Sequence, residues 1–342
     1  MVDYNNMVSI ICPIYNEEKY ITACIESILN QEYPFENLEV LFVDGMSTDK
    51  TRVIVEEYIA KYKFIRLLNN PHRIVPVAMN IGIEQAKGDI IIRLDAHAIY
   101  PVNYISRLVS KLEETAAANV GGVCKTLPVN DTMVCKAIAT ALCSSFGVGN
   151  SYFRIGVIND KWVDTVPFGC FRRDLFAKVG LYDEELVRNQ DDELNARIIK
   201  QGGKILLISD LVITYYARDK ISKVARMFYQ YGLFKPLVNK KLGAPTTLRQ
   251  FFPVSFLLGL ILGIPLSFFN QYFAIIYVLA VSLYFILSFC FSMKEMRTQK
   301  DRRILCVLPI IFLTIHLSYG WGYLKGIYKI LMKQPLGAKV NR

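Results

Sequence analysis

The chain has 342 residues, enough for about two domains, with a formal net charge of +10 and 53% hydrophobic residues. A basic balance points to nucleic acid, anionic lipid or a phosphorylated substrate. No DNA- or RNA-binding motif occurs, and Lys and Arg concentrate beside apolar spans near the C-terminus, which favours a membrane surface. The eight cysteines, at 12, 24, 124, 135, 143, 170, 290 and 306, form no Cys-x-x-Cys pair and no framework spacing. They read as buried small residues in a reducing compartment. The first residues lack a basic run followed by a long apolar core, so no cleaved signal peptide is expected.

Taken in order, residues 8–12 are an apolar run ended by Pro13 and read as a first strand. The turn 13–18 leads into a segment with Ile21, Ile25, Ile28 and Leu29 at helical spacing. Residues 39–43 make a second strand, which ends in Asp44-Gly45-Met46-Ser47-Thr48-Asp49. Gly45 permits a tight turn, and Thr48 or Asp49 can cap the following helix, whose inner face carries Val53, Ile54 and Ile59. Residues 64–68 are a third strand, and 76–86 a helix starting near its proline. Gly88-Asp89 leads into a fourth strand of Ile90, Ile91, Ile92 and Leu94, which stops at Asp95 and His97. Four strand–helix alternations in about 95 residues predict an α/β fold with a parallel sheet and right-handed crossovers.

In such sheets the ligand crevice lies outside the carboxyl ends of the strands. Tyr15, Asn16, Glu17, Asp44, Asp95 and His97 are therefore expected to line one crevice. Asp95 and His97 are two residues apart, and on an extended backbone both side chains point the same way. Together they could hold a divalent cation; a polar strand end with a hydrogen-bonded histidine is the plainer alternative. Neither Gly-x-Gly-x-x-Gly nor Gly-x-x-x-x-Gly-Lys-Ser/Thr occurs, so a nucleotide is held otherwise. Asp44 could accept a hydrogen bond from a base or ribose, or simply serve its turn.

Residues 104–112 suggest a helix, Gly121-Gly122 a turn or bulge, and 147–160 a loop over the crevice. A short helix is expected to end near Val179. From 188 to 200, Leu194 and Ile198 mark a helix with Asp191, Asp192 and Glu193 in its first turn. Acids there complement the helix dipole. The sharper reading is that one carboxylate faces the crevice as a base while Glu193 pairs with Arg197 one turn on.

Five stretches now combine: Val8-Ser-Ile-Ile-Cys-Pro-Ile-Tyr-Asn-Glu-Glu18, Val43-Asp-Gly-Met-Ser-Thr-Asp49, Ala78-Met-Asn-Ile-Gly82, Arg93-Leu-Asp-Ala-His97 and Asn189-Gln-Asp-Asp-Glu193. In this order they resemble the family 2 glycosyltransferases, above all the bacterial exopolysaccharide, succinoglycan-type branch, over roughly residues 7–216. The resemblance implies a GT-A, Rossmann-like nucleotide-diphospho-sugar transferase domain and inverting transfer, with Mg²⁺ or Mn²⁺ and a UDP-sugar as the first donor to expect. It assigns Pro13, Tyr15, Glu17, Asp44, Asn80, Arg93 and Asp95 to the nucleotide sugar, Asp95 and His97 to the metal, and Asp191 to the general base. Gly169, Cys170, Gln190 and Asp192 fall on the acceptor side. Three positions depart from the family pattern: Gly45 stands where a second acid is usual, the Asp-x-Asp is Asp95-x-His97, and the Glu-Asp motif is Gln190-Asp191. The imidazole shifts preference away from Mg²⁺.

The tail sets the location. Residues 219–250 mix Lys, Arg and Tyr with apolar residues and suit a membrane surface, after a catalytic domain at 1–218. Spans are expected at 251–269 and 272–293, a hairpin joined by Asn270-Gln271, within a membrane domain at 251–342. Lys235, Lys240, Lys241 and Arg249 before it, and Lys294, Arg297, Lys300, Arg302 and Arg303 after it, are expected on the cytoplasmic side, with the catalytic domain. Residues 304–323 are a third apolar segment, spanning, re-entrant or interfacial. Spanning would place Lys325, Lys329, Lys333, Lys339 and Arg342 outside, against the charge rule. The expected acceptor is a lipid-linked saccharide in surface-glycan synthesis. A polyprenyl-phosphate acceptor and an inactive scaffold of the same fold are the alternatives.

Overall fold

The structure, a computed structural model, describes residues 6–299 and 301–337; Lys300, Lys339 and Arg342 lie outside them. The chain opens with β1 (Val8–Ile14), α1 (Ile21–Leu29), β2 (Leu38–Asp44), α2 (Thr51–Lys61), β3 (Ile65–Asn69), α3 (Val75–Gln85) and β4 (Ile90–Arg93). β1 pairs in parallel with both β2 and β4, and β2 with β3, in the order β3-β2-β1-β4. β1, β2 and β4 are buried along their whole lengths. Parallel strands covered on both faces take mostly apolar side chains, which is why these segments read as apolar runs; the buried Ser9 and Glu39 within them answer each other, Ser9 Oγ donating to Glu39 Oε1 at 2.5 Å.

Beyond β4 the sheet reverses. β8 (Cys170–Arg172) runs antiparallel to β4, with Ile90 opposite Arg172. β6 (Ala117–Leu127) lies antiparallel to β8, and β9 (Lys204–Tyr216) follows it in the sheet. The short β5 (Ala98–Ile99) and β7 (Lys161–Val163) each pair antiparallel with β9. Three helices complete this part: α4 (Tyr104–Glu114), α8 (Leu175–Val179) and α9 (Gln190–Lys200). One core joins Ile11, Leu41, Met79 and Ile91 of the parallel strands and α3 to Phe171, Leu194 and Ile198. Gly121 and Gly122, expected at a turn, lie inside β6. A Cβ on Gly121 would stand 2.7 Å from Val166 Cβ, and one on Gly122 2.4 Å from the Leu211 carbonyl oxygen. Close backbone approach, not chain reversal, requires them.

The described residues divide into two compact units, the first holding those up to Lys125 and Gly156–Tyr215, the second Thr126–Ile155 and those from Tyr216 on. The second unit contains α5 (Met133–Cys143), α6 (Ser145–Val148), α7 (Tyr152–Ile155), α10 (Ile221–Leu242), α11 (Phe251–Ser267), α12 (Gln271–Gln299) and α13 (Ile304–Leu331). Short helices thus occupy part of 147–160, which reads as a loop. Thr132 caps α5 by accepting the Cys135 N–H. α11, α12 and α13 are each part of a helix long and apolar enough to cross a membrane. α11 and α12 fold back on each other where Gly263 meets Tyr277; a Cβ there would be 2.2 Å from the tyrosine ring. No disulfide joins the cysteines among the described residues.

Candidate active site

The loops after β1 and β2 are stitched into one wall. Asn16 N–H donates to Ser47 Oγ at 2.8 Å, Thr48 N–H to Asn16 Oδ1 at 2.8 Å, and Glu17 N–H to Thr51 Oγ1 at 2.7 Å. Asp44, at the end of β2, is fully buried. Its carboxylate accepts from Ser47 Oγ at 2.5 Å, from the Ser47 N–H at 3.1 Å and from Arg52 Nη1 at 2.7 Å. A buried charge needs such partners, and Asp44 spends much of its capacity on its own turn. Tyr15 packs over Gly45: a Cβ on residue 45 would sit 3.3 Å from Tyr15, and the Arg73 guanidinium lies 5.9 Å from the tyrosine ring centroid. A side chain at 45 would crowd Tyr15, which would have to give by a few tenths of an ångström. Pro13 is buried within β1 opposite Val43 and belongs to the sheet, not to an open wall.

β4 ends at Arg93, so Asp95 and His97 stand on a turn rather than on the extended strand. They converge all the same. The Tyr100 hydroxyl accepts the Asp95 N–H at 2.7 Å and donates to its carbonyl at 3.2 Å, which pins the turn. His97 Nδ1 lies 3.2 Å from Asp95 Oδ1 and 3.6 Å from Glu17 Oε1. Two ligands in neighbouring positions of an octahedral cation, each bound at about 2.1 Å, stand about 3.0 Å apart. The Asp95–His97 pair fits that spacing. Among the described residues no group of three or more His, Cys, Asp or Glu side chains forms a cation site. A cation held here would take its other ligands from substrate oxygens and water.

Arg93 and Asp191 meet across the crevice. The buried Arg93 Nη1 donates to Asp191 Oδ1, and the buried Tyr182 is close enough to influence the same guanidinium. Burial alone would lower the Arg93 pKa, but Asp191, Tyr182 and Asp95 outweigh it and keep the group charged. Asp191 keeps 33% of its side-chain surface exposed. Its pKa is raised above the ordinary aspartate value, first by desolvation in the crevice; Arg93 opposes this, and Asp192 and Asp95 add to it.

The surroundings fix α9. Asn189, just before it, is left-handed at φ 62°. Glu193 pairs with Arg197 at 2.6 Å, as the spacing predicts, and Arg197 also donates to the carbonyls of Val179 and Leu181. Behind α9, Asn119 donates to Asn195 at 2.7 Å and Asn195 to Thr165 at 2.8 Å. Asn80 clips the Tyr182 loop: its amide donates to the Tyr182 carbonyl and accepts the Tyr182 N–H, both at 2.9 Å, and reaches Glu184 at 2.8 Å. The Gly169 carbonyl accepts the Arg93 N–H at 3.0 Å, and a Cβ on Gly169 would stand 2.4 Å from Asn119 Oδ1. Cys170 is fully buried in β8, and burial pushes its thiol pKa up. Gln190 is buried, while Asp192 is half-buried.

Six non-glycine residues among those described have positive φ, and Asn16, Met46, Arg73, Phe168 and Asn189 among them all fall in the first unit, on its loops. Strained backbone of this kind gathers at ligand sites. Tyr100, Tyr182 and Arg52 hold the site together and carried no sequence signal; each acts through a contact that only the folded chain creates.

A parallel half-sheet that turns antiparallel beyond β4 is the sheet of the GT-A fold. Comparison with known proteins agrees. Residues 9–177 match the model of glycosyl transferase family 2. The chain is 33% identical to the succinoglycan biosynthesis protein ExoA of Rhizobium meliloti, over 72% of this chain and 74% of that one. It is 29% identical, over 95% of this chain and 98% of the other, to the dolichyl N-acetyl-α-D-glucosaminyl phosphate 3-β-D-2,3-diacetamido-2,3-dideoxy-β-D-glucuronosyltransferase of Methanococcus voltae. The mannosyltransferase PcManGT of Pyrobaculum calidifontis, solved with GDP-Man and Mn²⁺, shares the fold with a TM-score of 0.59 at 17% identity, over 96% of this chain and 90% of that one. The chain belongs to glycosyl transferase family 2 and is a glycosyltransferase.

Proposed function

We propose that this enzyme moves a sugar, with inversion, from a nucleotide-diphosphate donor to a hydroxyl of a lipid-linked saccharide during surface-glycan synthesis. The observation that carries this reading is Asp191: one oxygen is anchored by Arg93, and a third of the side chain stays open to the crevice. The relatives add the acceptor class, since the archaeal protein acts, by its name, on a sugar carried on dolichyl phosphate.

A sugar hydroxyl is a poor nucleophile at neutral pH. Asp191 takes its proton as the oxygen attacks the anomeric carbon, a contribution of roughly 10²–10⁴-fold. The bond from that carbon to the donor phosphate breaks, and the nucleoside diphosphate leaves with the electron pair on the opposite face. One displacement inverts the centre. Arg93 keeps Asp191 aimed, and Tyr100 holds Asp95 in place beside it. A divalent cation held by Asp95 and His97 would supply positive charge to the diphosphate. Imidazole suits Mn²⁺ better than Mg²⁺. The basic residues around the apolar helices support a catalytic unit on the cytoplasmic face of the membrane, where nucleotide sugars are made.

The test is a panel of UDP- and GDP-sugars supplied to the membrane-embedded protein with a lipid-linked saccharide, reading nucleoside diphosphate release and the lengthened glycan. Release that never depends on the saccharide would overturn the proposed acceptor.

A further inference from the structure

α13 is apolar enough to cross a bilayer, but α10, which packs along it, is not. Its first half packs against α5 and α10: Ile304, Leu308, Ile311 and Phe312 share one core with Ala137, Ile138, Val224 and Phe228. Its second half lies backbone to backbone along α10. A Cβ on Gly322 would stand 2.1 Å from the Tyr229 carbonyl oxygen, one on Gly326 2.4 Å from that of Leu233, and one on Gly232 2.1 Å from that of Tyr319. From Tyr229–Gly322 to Leu233–Gly326 the contact moves four residues on along each helix, so the two run side by side in the same direction.

α10 cannot cross a bilayer. Its exposed residues are Ser222, Lys223, Arg226, Lys240 and Lys241, and Lys235 is buried in it. A charge carried to the middle of a membrane costs about 2.5–3.5 kcal/mol even on the most lenient scale. Whatever depth α10 takes, α13 shares. Accordingly, 39% of the most apolar stretch of α13 is buried within the protein, against 11% in each of the other two candidate spans.

One stripe of α13 remains outward: Ile310, Leu317, Trp321, Leu324, Tyr328 and Leu331, at spacings of three, four and seven. Trp and Tyr favour the membrane–water boundary, and the Lys325 ammonium lies over the Tyr328 ring, 4.8 Å from its centroid. Lys329 and Lys333 follow. α11 meets α13 only through its first turns, where Gly320 approaches Pro253 and Leu257. The second half of α12 meets α13 as well: the Tyr284 hydroxyl is hydrogen-bonded to His316 Nδ1 at 2.9 Å, and Phe291 and Met296 pack on the core that holds Ile304 and Ile315. Between these contacts and the hairpin tip the apolar side chains of both helices are largely exposed.

We propose that α13 lies in the plane of an anionic membrane surface, its stripe at the boundary of headgroups and acyl chains, and that only the α11–α12 hairpin enters the bilayer. Lys333 then returns to the side on which α10 lies. This removes the conflict with the charge rule, because the basic residues at both ends of the hairpin and after α13 share one face. The inference rests on the membrane reading of the hairpin and is independent of the chemistry assigned to Asp191.

Spin labels test it. Ile310→Cys and Tyr328→Cys are made in full-length protein whose Cys143, Cys290 and Cys306 are serine, in vesicles of phosphatidylglycerol and phosphatidylcholine. The two positions are separated by about 27 Å along the helix axis. Depth measured from oxygen and nickel-chelate accessibility should be shallow and similar at both. A depth difference above about 14 Å, half that axial length, overturns the proposal. Lys333→Cys and Lys241→Cys should react with a membrane-impermeant maleimide from the same face of sealed vesicles, and opposite faces overturn it. Release of the protein by alkaline carbonate would instead sink the membrane reading of the hairpin, a result distinct from either.

Discussion

Arg93 at the end of β4 and Asp191 in the first turn of α9 form one ion pair although 98 residues separate them in the chain. The pair closes the crevice at the point where the sheet changes from parallel to antiparallel. It holds a carboxylate that desolvation would otherwise drive toward its neutral form. Removing either partner therefore has a different, measurable consequence.

Asp191→Asn removes the proton acceptor and keeps the shape. Transfer to a sugar hydroxyl should fall about 10²–10⁴-fold, with nucleotide-sugar affinity nearly unchanged. Product formation and equilibrium donor binding measured on the same preparation check it. Retained turnover would point to an acceptor that is already anionic, such as a polyprenyl phosphate.

Arg93→Met should move the acid limb of the pH–rate profile upward. A general base works only when deprotonated, so the rate falls as pH drops through the Asp191 pKa, which already lies above 3.8. Arg93 is the largest influence holding that value down. Without the guanidinium the rate should begin to fall at a higher pH, whereas Arg93→Lys, which keeps the charge, should shift the limb less. The measurement is kcat/KM across pH for the three proteins.

Asp95 and His97 should be separable from Asp191 by cation dependence. His97→Ala should raise the Mn²⁺ concentration needed for half-maximal rate by about tenfold or more, since even indirect partners of metal ligands are worth 10–100-fold in affinity. Asp95→Asn should do the same or worse. Titration of Mn²⁺ followed by its EPR signal reads binding without turnover, and an unchanged titration would remove the pair as the cation site.

Asn80→Ala should act on stability. It deletes two hydrogen bonds to the Tyr182 backbone and one to Glu184, in a residue only 6% exposed. Each such bond is worth about 1 kcal/mol net, and the stranded buried groups cost more, so a loss of about 2–3 kcal/mol is expected. Thermal unfolding of the detergent-solubilised protein measures it. A variant with unchanged Tm and weakened donor binding would show that the amide meets the nucleotide sugar directly.

Much of the fold was legible in the chain because its signals are local. The apolar runs of β1, β2 and β4 follow from burial on both faces, and the helices between them from spacing and proline placement. Asp44, Asp95 and His97 stood out for the same reason: strand ends are visible wherever an apolar run stops. β9 and the glycines of β6 were not legible. An antiparallel strand at a sheet reversal is defined by its neighbours, and Gly121 and Gly122 answer to Val166 and Leu211, about 45 and 90 residues away.

By itself the sequence determined the alternating first half, the polar residues at its strand ends and the apolar tail, because each depends on residues within a few turns of one another. Only the tertiary structure decided that Asp191 faces Arg93, that Asn80 serves the Tyr182 loop, and that α13 is tied to a charged helix. Those outcomes depend on which distant surfaces meet, and no periodicity along one segment encodes its partner. The physical reason is burial: once Arg93 and Asp191 leave bulk water, each must find the other, and the fold alone settles where that happens.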